Sequence, residues 1–443
     1  MQNFDRVKDY LLNQYEKNPV VTTFIGLLLA ILVISIIVGI ITGGRSFAYT
    51  LLQDSHDTFM DHFKSVVTAA DGPYTKHTSS YPPLITLVYW GYDIFSEPFT
   101  TDFNPSYPHA FNMRDSQIPM MYFVITIMVV MAAFYHVLEK FCEDRISRNQ
   151  FKLIFILILL SYPVIYGLER GNCTFLAVLF SILYLCGYKS ENKYIRIASY
   201  VCLGIAAGVR ILPAILGILT LKNKGIKEFA YCVIIVTVLL IGPFIFTDGN
   251  IFMILDYALD YMEKIAGRDG LINITDFAAM FGLTGSAVIA IAVIVMFALI
   301  GLVVFDRNME EWQAITILCT LVIICFSFTA PYMYLYMIIP TYYFLTRERE
   351  DTTINLIATV CFAMIFALLP AFSYDHGILV TVKSLALIIL LVMLIGLSLK
   401  RILSRPKEGK PKKTVQKKVE SKNTKLKSSR NKVPEKKKRS TRS

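Results

Sequence analysis

Long apolar runs alternate with short polar segments over the first 400 residues of the chain. The first run, residues 20–41, reads VVTTFIGLLLAILVISIIVGII without a charge, and such a length crosses the roughly 30 Å of a bilayer's hydrocarbon core. Further runs occupy residues 119–138, 151–168, 173–188, 197–221, 229–246, 284–305, 312–329, 332–346, 355–372 and 378–399. The pattern predicts an all-α membrane protein with lipid as its main solvent.

Basic residues between the runs set the predicted orientation, because Lys and Arg near the ends of spans are held on the cytoplasmic side. One run, residues 197–221, has a basic cluster at each end, and Gly208-Val-Arg-Ile-Leu-Pro213 interrupts it. If the chain turns back at this break, both clusters stay inside, since irregular backbone at membrane depth is tolerated where it lines a polar cavity. We therefore predict about twelve passes, several of them short or re-entrant, with both termini cytoplasmic and a cavity at the outer face.

The predicted organisation has three parts. Residues 1–19 form a cytoplasmic segment, residues 20–400 form the polytopic domain with outer loops at 43–118 and 246–283, and residues 401–443 form a tail. The segment from Lys400 to Ser443 holds 19 of the 44 basic and 3 of the 33 acidic residues, so the net charge of +11 belongs to it. Such a tail is predicted to be disordered and to attract anionic lipid headgroups rather than nucleic acid.

Carboxylates are concentrated directly after the first span. Asp54, Asp57 and Asp61 follow one another at helical or near-helical spacing, and an aspartate within hydrogen-bond reach of a hydroxyl can act as a general base. A solvated loop with ordinary turn aspartates is the alternative. His56 and His62 beside these carboxylates also allow a divalent metal site.

Two arginines near the predicted outer face are further candidates. Arg210 lies alone in an apolar run, where a guanidinium is costly unless it meets an anion, a partner or water. It fits the phosphate of a lipid-linked donor, or an ion pair with Glu169 or an outer-loop aspartate. Arg170 and Asn172 lie in a short hairpin and either point into the same cavity or form a structural turn. The other candidate substrate contacts are Tyr74, Tyr81 and His376.

The order of these features carries a family resemblance. The matching pieces are Asp57, Pro73-Tyr74, Tyr81-Pro82-Pro83-Leu84, Arg170-Gly171-Asn172 and the segment from Gly204 to Pro213. Together they resemble the GT-C superfamily of integral-membrane glycosyltransferases, in particular the polyprenyl-phosphate-mannose-dependent α-mannosyltransferases that elongate phosphatidylinositol mannosides. The chain has Arg210 where that family has a Lys, and Asp57-Thr-Phe-Met-Asp61 where it has D-x-x-V-Y, so the base is open among three aspartates.

The resemblance implies a cell-membrane enzyme whose active site lies on the outer side. It would move a hexose, with mannose favoured, from a polyprenyl-phosphate donor to a glycolipid or glycan acceptor with inversion. An aspartate of the first outer loop would act as the base, without an obligatory metal, nucleotide or other cofactor. The competing hypothesis is a transporter or a flippase for a lipid-linked sugar, but no internal repeat is visible and the polar candidates gather at one face.

Overall fold

The structure is a computed structural model of the chain. It describes residues 18–51, 57–72, 74, 81–100, 108–143, 145–247, 249–250, 252–253, 286–324, 330–347, 352–372 and 377–404. The chain divides into a unit of Met1–Leu399 and a unit of Lys400–Ser443, and residues 405–443 of the predicted tail lie outside the described part. Every regular element of the described part is a helix, as the apolar pattern predicts.

Seventeen α-helices and four 3-10 helices are described. The α-helices are α1 Pro19–Ile41, α2 Arg45–Leu51, α3 Met60–Ala70, α4 Pro83–Ser96, α5 His109–Asp115, α6 Gln117–Cys142, α7 Arg148–Leu159, α8 Tyr162–Arg170, α9 Thr174–Gly187, α10 Lys193–Val209, α11 Ile218–Lys224, α12 Ile226–Ile241, α13 Ser286–Phe305, α14 Glu311–Ile324, α15 Ile338–Leu345, α16 Thr352–Phe366 and α17 Gly377–Leu403. The 3-10 helices are Glu97–Phe99, Leu212–Gly217, Gly242–Phe246 and Pro331–Met337.

Four described helical segments are long and apolar enough to cross a bilayer. They are Pro19–Ile41, Gln117–Cys142, Ile226–Phe246 and Ile378–Leu403, and α7 with α8, bent by 57°, makes a fifth if the pair is one span. Shorter apolar helices lie at Thr174–Gly187, Ala290–Phe305, Glu311–Ile324 and Thr353–Phe366. The helices indicate a membrane protein, whereas the predicted count of about twelve passes is not confirmed.

The first helix shows how the sequence builds such a segment. Asn18 caps α1, because its side-chain oxygen accepts a hydrogen bond from Val21 N at 3.2 Å. One face, which includes Phe24, is buried against the bundle, while Ile37 and Ile40 are exposed. An apolar exposed face is expected where side chains meet lipid rather than water.

The chain turns back at Arg210. Helix α10 ends there because the backbone of Arg210 is extended, with φ −143° and ψ 127°, and Pro213 follows in the 3-10 helix. A Cβ built on Gly217 would lie 3.5 Å from Leu203 Cδ2, so the segments on either side of the break are in contact. Lys224 Nζ bonds Glu191 Oε1 at 2.6 Å, which brings the two ends of the run together.

The other basic loops join the same end of the bundle. Polar contacts connect Lys189 with Glu311, Lys222 with the carbonyl of Met309, Arg347 with Glu310, and Arg145 with the carbonyl of Thr346. Helix α9 separates this basic end from residues 171–173, and its 14 residues span about 20 Å at 1.5 Å per residue. The candidate chemistry described next lies at the opposite end of α9.

Candidate active site

The end of helix α8 places two of the candidate side chains. Gly171 adopts a left-handed conformation, with φ 67°, and terminates the helix, as glycine does in a C-terminal cap. The N–H groups of Gly171 and Asn172 bond the carbonyls of Leu168 and Gly167 at 3.0 Å. Arg170 therefore lies in the last turn of the helix, and Asn172 begins the next segment on the same side.

A strained turn places the carboxylates of the first predicted outer loop. Phe59 has φ 61°, a conformation that non-glycine residues seldom adopt. Its N–H donates to the carbonyl of Glu169 at 2.6 Å, which fixes the turn against helix α8. Asp57 precedes this turn and Asp61 lies in the first turn of α3, so both carboxylates face the end of α8.

Arg170 binds both carboxylates at once. Its Nη1 donates to Asp57 Oδ2 at 2.8 Å, and its Nε and Nη2 donate to Asp61 Oδ1 at 3.1 and 2.6 Å. Asp57 Oδ1 also accepts a hydrogen bond from Lys64 Nζ at 2.9 Å. Two cations thus balance two carboxylates, and the positive charge of Arg170 is already neutralised within the protein.

The two carboxylates differ in accessibility. The side chain of Asp57 is 34% exposed and that of Asp61 is 16% exposed. Burial raises the pKa of Asp57, but the hydrogen bonds and charges of Arg170 and Lys64 outweigh it and hold the pKa below its usual value. Asp57 is therefore an ionised, accessible carboxylate at neutral pH.

Asn172 connects the carboxylates to the other arginine. Its Nδ2 donates to Asp61 Oδ2 at 2.8 Å, and its Oδ1 accepts from Arg210 Nη2 at 2.9 Å. The same oxygen accepts from the Thr174 hydroxyl at 2.6 Å and the Thr174 N–H at 3.0 Å. These bonds fix which atom of the amide faces which neighbour, because only the amide nitrogen can donate to a carboxylate.

Arg210 lies against two aromatic rings. Its Cζ is 4.8 Å from the ring centroid of Tyr81 and 5.4 Å from that of Tyr332, distances at which a cation is attracted to a ring face. Within the part of the chain that the structure describes, Arg210 forms no ion pair, and its buried Nε has no hydrogen-bond partner. The predicted alternative, an ion pair of Arg210 with Glu169 or an outer-loop aspartate, is not found among the described residues. Asp57 and Asp61 pair with Arg170 instead.

Tyr81 precedes helix α4 by two residues, and the packing of α4 sets its position. A Cβ at Gly208 would lie 2.6 Å from Leu84 Cδ2, so the start of α4 packs directly on the backbone of α10. Tyr74 is buried, and its hydroxyl contacts the carbonyl of Tyr81 at 2.8 Å and the hydroxyl of Thr86 at 2.9 Å. The structure therefore places Tyr81 beside Arg210 and binds Tyr74 to the backbone that supports it.

His62 lies apart from the carboxylates. Its ring is enclosed by Phe63, Tyr89, Tyr92 and Phe123, with centroids 4.6 to 5.5 Å away. Burial lowers the pKa of His62 to about 3, so the ring is neutral. Among the described residues no group of three or more His, Cys, Asp or Glu side chains could hold a metal ion.

Some predicted features fall elsewhere. Asp54, His56 and His376 lie outside the described residues. A cavity of about 490 Å³ lies between the end of α6 and the start of α7, lined in part by Glu139 and Arg148. That is the basic end of the bundle, so the predicted outer-face cavity is not confirmed.

Two residues of this network, Lys64 and Tyr332, are not among the candidates that the sequence analysis assigns to the site. Lys64 was not singled out, although its place one turn after Asp61 on α3 is a signal for a charge near the carboxylates. Tyr332 opens an apolar helix after Pro331, where a tyrosine reads as a membrane-interface residue. Its contact with Arg210 depends on the packing of distant segments and leaves no local signal.

The model of Glycosyltransferase family 87 matches residues 116–330, a little under half of the chain. The matched range contains Arg170, Asn172 and Arg210, whereas Asp57 and Asp61 precede it. Comparison with curated proteins gave no match, and comparison with solved structures gave none. The family match indicates a glycosyltransferase, and it does not favour the competing hypothesis of a transporter or flippase.

Proposed function

We propose that this protein transfers a hexose, with mannose favoured, from a polyprenyl-phosphate donor to an extracytoplasmic glycolipid or glycan. One observation carries the proposal: an accessible carboxylate and a guanidinium without a carboxylate partner belong to one hydrogen-bonded network that Asn172 completes. The network pairs a base with an anion-binding group. These are the two groups that glycosyl transfer from a phosphate requires.

Asp57 is the proposed base. Among the residues that the structure describes, only Lys64 bonds its Oδ1; the Lys64 side chain is 53% exposed, and such exposed pairs contribute little stability. An acceptor hydroxyl can therefore replace Lys64 at small cost. Asp61 is held at both oxygens by Arg170 and Asn172, so we assign it the role of positioning those two side chains.

Arg210 is the proposed ligand of the donor phosphate. Arg170 forms ion pairs with two carboxylates, so its charge is neutralised within the protein. The charge of Arg210 is therefore the one in this network that an anionic ligand can neutralise. A guanidinium with free N–H donors matches phosphate oxygens in geometry as well as charge. Tyr81 lies over the guanidinium and supports its orientation, and we assign it to substrate contact.

The proposed step balances as follows. The acceptor hydroxyl oxygen forms a bond to the anomeric carbon of the sugar while the bond between that carbon and the phosphate oxygen breaks. Asp57 takes the hydroxyl proton, and polyprenyl phosphate leaves with the electron pair, its charge stabilised by Arg210. This arrangement would lower the barrier in two ways: it positions the reacting groups, and it stabilises the negative charge of the leaving group.

The proposed topology follows from the two ends of the bundle. The basic loops converge at one end, and basic loops are retained in the cytoplasm. The candidate site lies at the other end of α9, which supports an active site on the outer side. We retain about twelve passes with both termini cytoplasmic as part of the proposal, with shorter helices and bent pairs packed between the long spans.

A donor screen tests this proposal. The purified protein in lipid vesicles is given radiolabelled polyprenyl-phosphate mannose, polyprenyl-phosphate glucose, or a nucleotide-activated mannose, together with a total lipid extract as acceptor. We expect labelled product from a polyprenyl-phosphate sugar. Product from the nucleotide sugar alone, or movement of the labelled lipid across the bilayer without transfer, would contradict the proposal.

A further inference from the structure

A lysine is buried inside one of the long apolar helices. Lys383 lies five positions after Ile378, where the apolar segment Ile378–Leu403 begins, and it is 0% exposed. Among the described residues Lys383 forms no ion pair, and its Nζ contacts three backbone carbonyls instead. An ionisable side chain within a membrane helix is costly and rare, and where one occurs it marks a functional site with a defined partner.

The three carbonyls lie where helix α16 ends. The distances from Lys383 Nζ are 3.3 Å to the oxygen of Met364, 2.8 Å to that of Ile365 and 2.7 Å to that of Ala367. Because α16 ends at Phe366, these carbonyls lack the N–H partners of a further turn, and the negative end of the helix dipole lies there. A lysine ammonium has three N–H donors and no acceptor. The three acceptors therefore match the ammonium form of the side chain.

The chain after α16 is irregular although it belongs to an apolar run. Residues 367–371 form no helix, and two further polar side chains bond their backbone. The hydroxyl of Ser35, on α1, donates to the carbonyl of Leu368. Thr50 Oγ1, on α2, accepts from the N–H of Ala371 at 2.9 Å. Irregular backbone at membrane depth is tolerated where the protein satisfies its polar groups, so the lysine belongs to a built polar site.

A series of contacts leads from Lys383 to the candidate active site. Its Nζ lies 5.7 Å from the ring centroid of Tyr162, the residue that begins helix α8. Ring contacts continue from Tyr162 to Tyr166 and from Tyr166 to Tyr332, each with centroids 5.9 Å apart. The ring of Tyr332 packs on Arg210. Packed side chains therefore connect the buried ammonium with the proposed phosphate ligand.

The residue after Lys383 supplies a second connection. Ser384 is buried, and its hydroxyl pairs with that of Tyr334 at 2.6 Å. Tyr334 lies in the 3-10 helix Pro331–Met337, which also contains Tyr332. Because protein interiors are close-packed, a shift of helix α17 at Lys383 would displace this 3-10 helix and the ring of Tyr332 with it.

We propose that the carbonyls at the end of α16 form a site for a monovalent cation, that the Lys383 ammonium is its resident ion, and that Lys383 is thereby a positioning residue for Arg210. The class of ion follows from the ligands. Backbone carbonyls replace the hydration shell of one positive charge, and among the described residues no carboxylate pairs with Lys383 to balance a second charge. The cation site stands on its own contacts, whereas its effect on Arg210 rests on the proposed function.

Thermal unfolding tests the cation site without any donor. Lys383→Met keeps the length of the side chain and removes its charge, in a helix where an apolar residue is otherwise favoured. Because the carbonyls would lose their cation, we expect the melting temperature to fall by about 3 °C or more. Lys152→Met, which replaces an exposed lysine on α7, should melt like the wild type. A Lys383→Met variant that is as stable as the wild type, or more stable, would overturn the cation site.

Chemical rescue tests whether the charge is the cause. Lys383→Ala deletes three carbons and the ammonium nitrogen, and propylammonium has the same four heavy atoms. We expect propylammonium to raise the melting temperature of Lys383→Ala, because it binds the folded state, but not that of Lys383→Met, whose side chain fills the space. The neutral 1-propanol is the matched probe and should not stabilise Lys383→Ala. Equal rescue by the two probes, or rescue by neither, would overturn the assignment.

The kinetic constants for donor and acceptor test the positioning role. In folded Lys383→Met we expect the KM for polyprenyl-phosphate mannose to rise by about threefold to tenfold, while the KM for the acceptor stays within about twofold of the wild type. A general loss of structure would raise both, so an equal rise, or an unchanged donor KM, would overturn this role. If the wild type transfers no sugar from this donor, the positioning role fails with the proposed function, and the melting measurements still decide the cation site.

Discussion

Asp61 and Arg210 lie on opposite sides of one side-chain amide. Asn172 donates to Asp61 through Nδ2 at 2.8 Å and accepts from Arg210 through Oδ1 at 2.9 Å. The amide separates a negative from a positive group and satisfies both, although the two residues are 149 positions apart in the sequence. The orientation of the amide therefore separates the carboxylate of Asp61 from Arg210, the proposed phosphate ligand.

Replacing Asn172 by Asp should remove the neutral amide that separates Asp61 from Arg210. The new carboxylate would face Asp61, a repulsive contact, and would neutralise Arg210, so we expect the donor KM to rise at least tenfold and stability to fall by about 1–3 kcal/mol. Donor titrations and thermal unfolding measure the two effects. Asn172→Ala is the matched variant, since it removes the amide without adding a charge. If Asn172→Asp retained the wild-type donor KM, Arg210 would not be the phosphate ligand.

The left-handed conformation of Phe59 predicts a difference between two isomeric side chains. Phe59→Leu and Phe59→Ile lose the same ring contact with Phe123, but only Ile is β-branched, and β-branched residues are strongly disfavoured at φ 61°. We expect Phe59→Ile to be less stable than Phe59→Leu by about 1 kcal/mol, with a lower transfer rate because Asp57 and Asp61 shift. Indistinguishable melting temperatures and rates would show that the turn can relax freely.

The contact between Gly208 and Leu84 predicts an effect at a distance from the chemistry. A methyl group at position 208 would lie 2.9 Å from Leu84 Cβ, so Gly208→Ala must push helix α4 and with it Tyr81. Overpacking of this kind costs about 1–3 kcal/mol, and we expect donor affinity to fall several-fold. Gly91→Ala, on the same helix with nothing within 4 Å, is the control.

A second substitution checks the cause. Replacing Leu84 by Gly in the Gly208→Ala background should restore donor affinity, because it removes Leu84 Cβ and Cδ2, the atoms that the methyl group would meet at 2.9 and 2.6 Å. If the double variant stays as weak as Gly208→Ala, the loss does not come from the displacement of α4.

Sequence reasoning singles out the candidate residues of this site but not the partners that they have in the structure. Arg210 was conspicuous because a charge in an apolar run is costly, and Asp57 and Asp61 because acidic residues gather after the first span; both signals are local. The pairing of Arg170 with those carboxylates, which crosses more than 100 residues, depends on how helices pack. No local pattern in the sequence shows that Arg170 pairs with the carboxylates while Arg210 has no carboxylate partner among the described residues.

The fold was predictable to the same extent. Apolar runs give helices, and the break at residues 208–213 gives a turn, since Pro213 and the charge of Arg210 both interrupt the helix. Helix lengths were less predictable: the run at 151–168 is divided at Leu160 and Ser161 into two helices that meet at 57°. Kinks and 3-10 segments of this kind follow from tertiary packing, which hydropathy does not encode.

The pH dependence of transfer should report the surroundings of Asp57. Transfer requires its ionised form, and its pKa is held below the usual value by Arg170 and Lys64, so the rate should fall only in strongly acidic solution. Removing Lys64 removes one cause of the lowering, so Lys64→Ala should raise the pKa and move the acidic limb of kcat/KM to higher pH. The side chains of Lys64 and Asp57 are 53% and 34% exposed, so the shift toward higher pH should become smaller at high salt.

The control for this measurement is Lys152→Ala, which removes an exposed lysine on α7. Its profile should overlay that of the wild type. An unchanged acidic limb in Lys64→Ala, or a shift toward lower pH, would mean that a group other than Asp57 controls the rate.

Single-turnover transfer by Asp57→Asn tests the central claim most directly. The variant keeps the shape of the side chain and removes its basicity, so donor affinity should stay within about twofold of the wild type while the transfer step slows by roughly 100-fold to 10,000-fold. Asp115→Asn, which removes an exposed carboxylate paired with Arg114, should transfer like the wild type. Transfer by Asp57→Asn at the wild-type rate, in folded protein that binds the donor, would contradict the account.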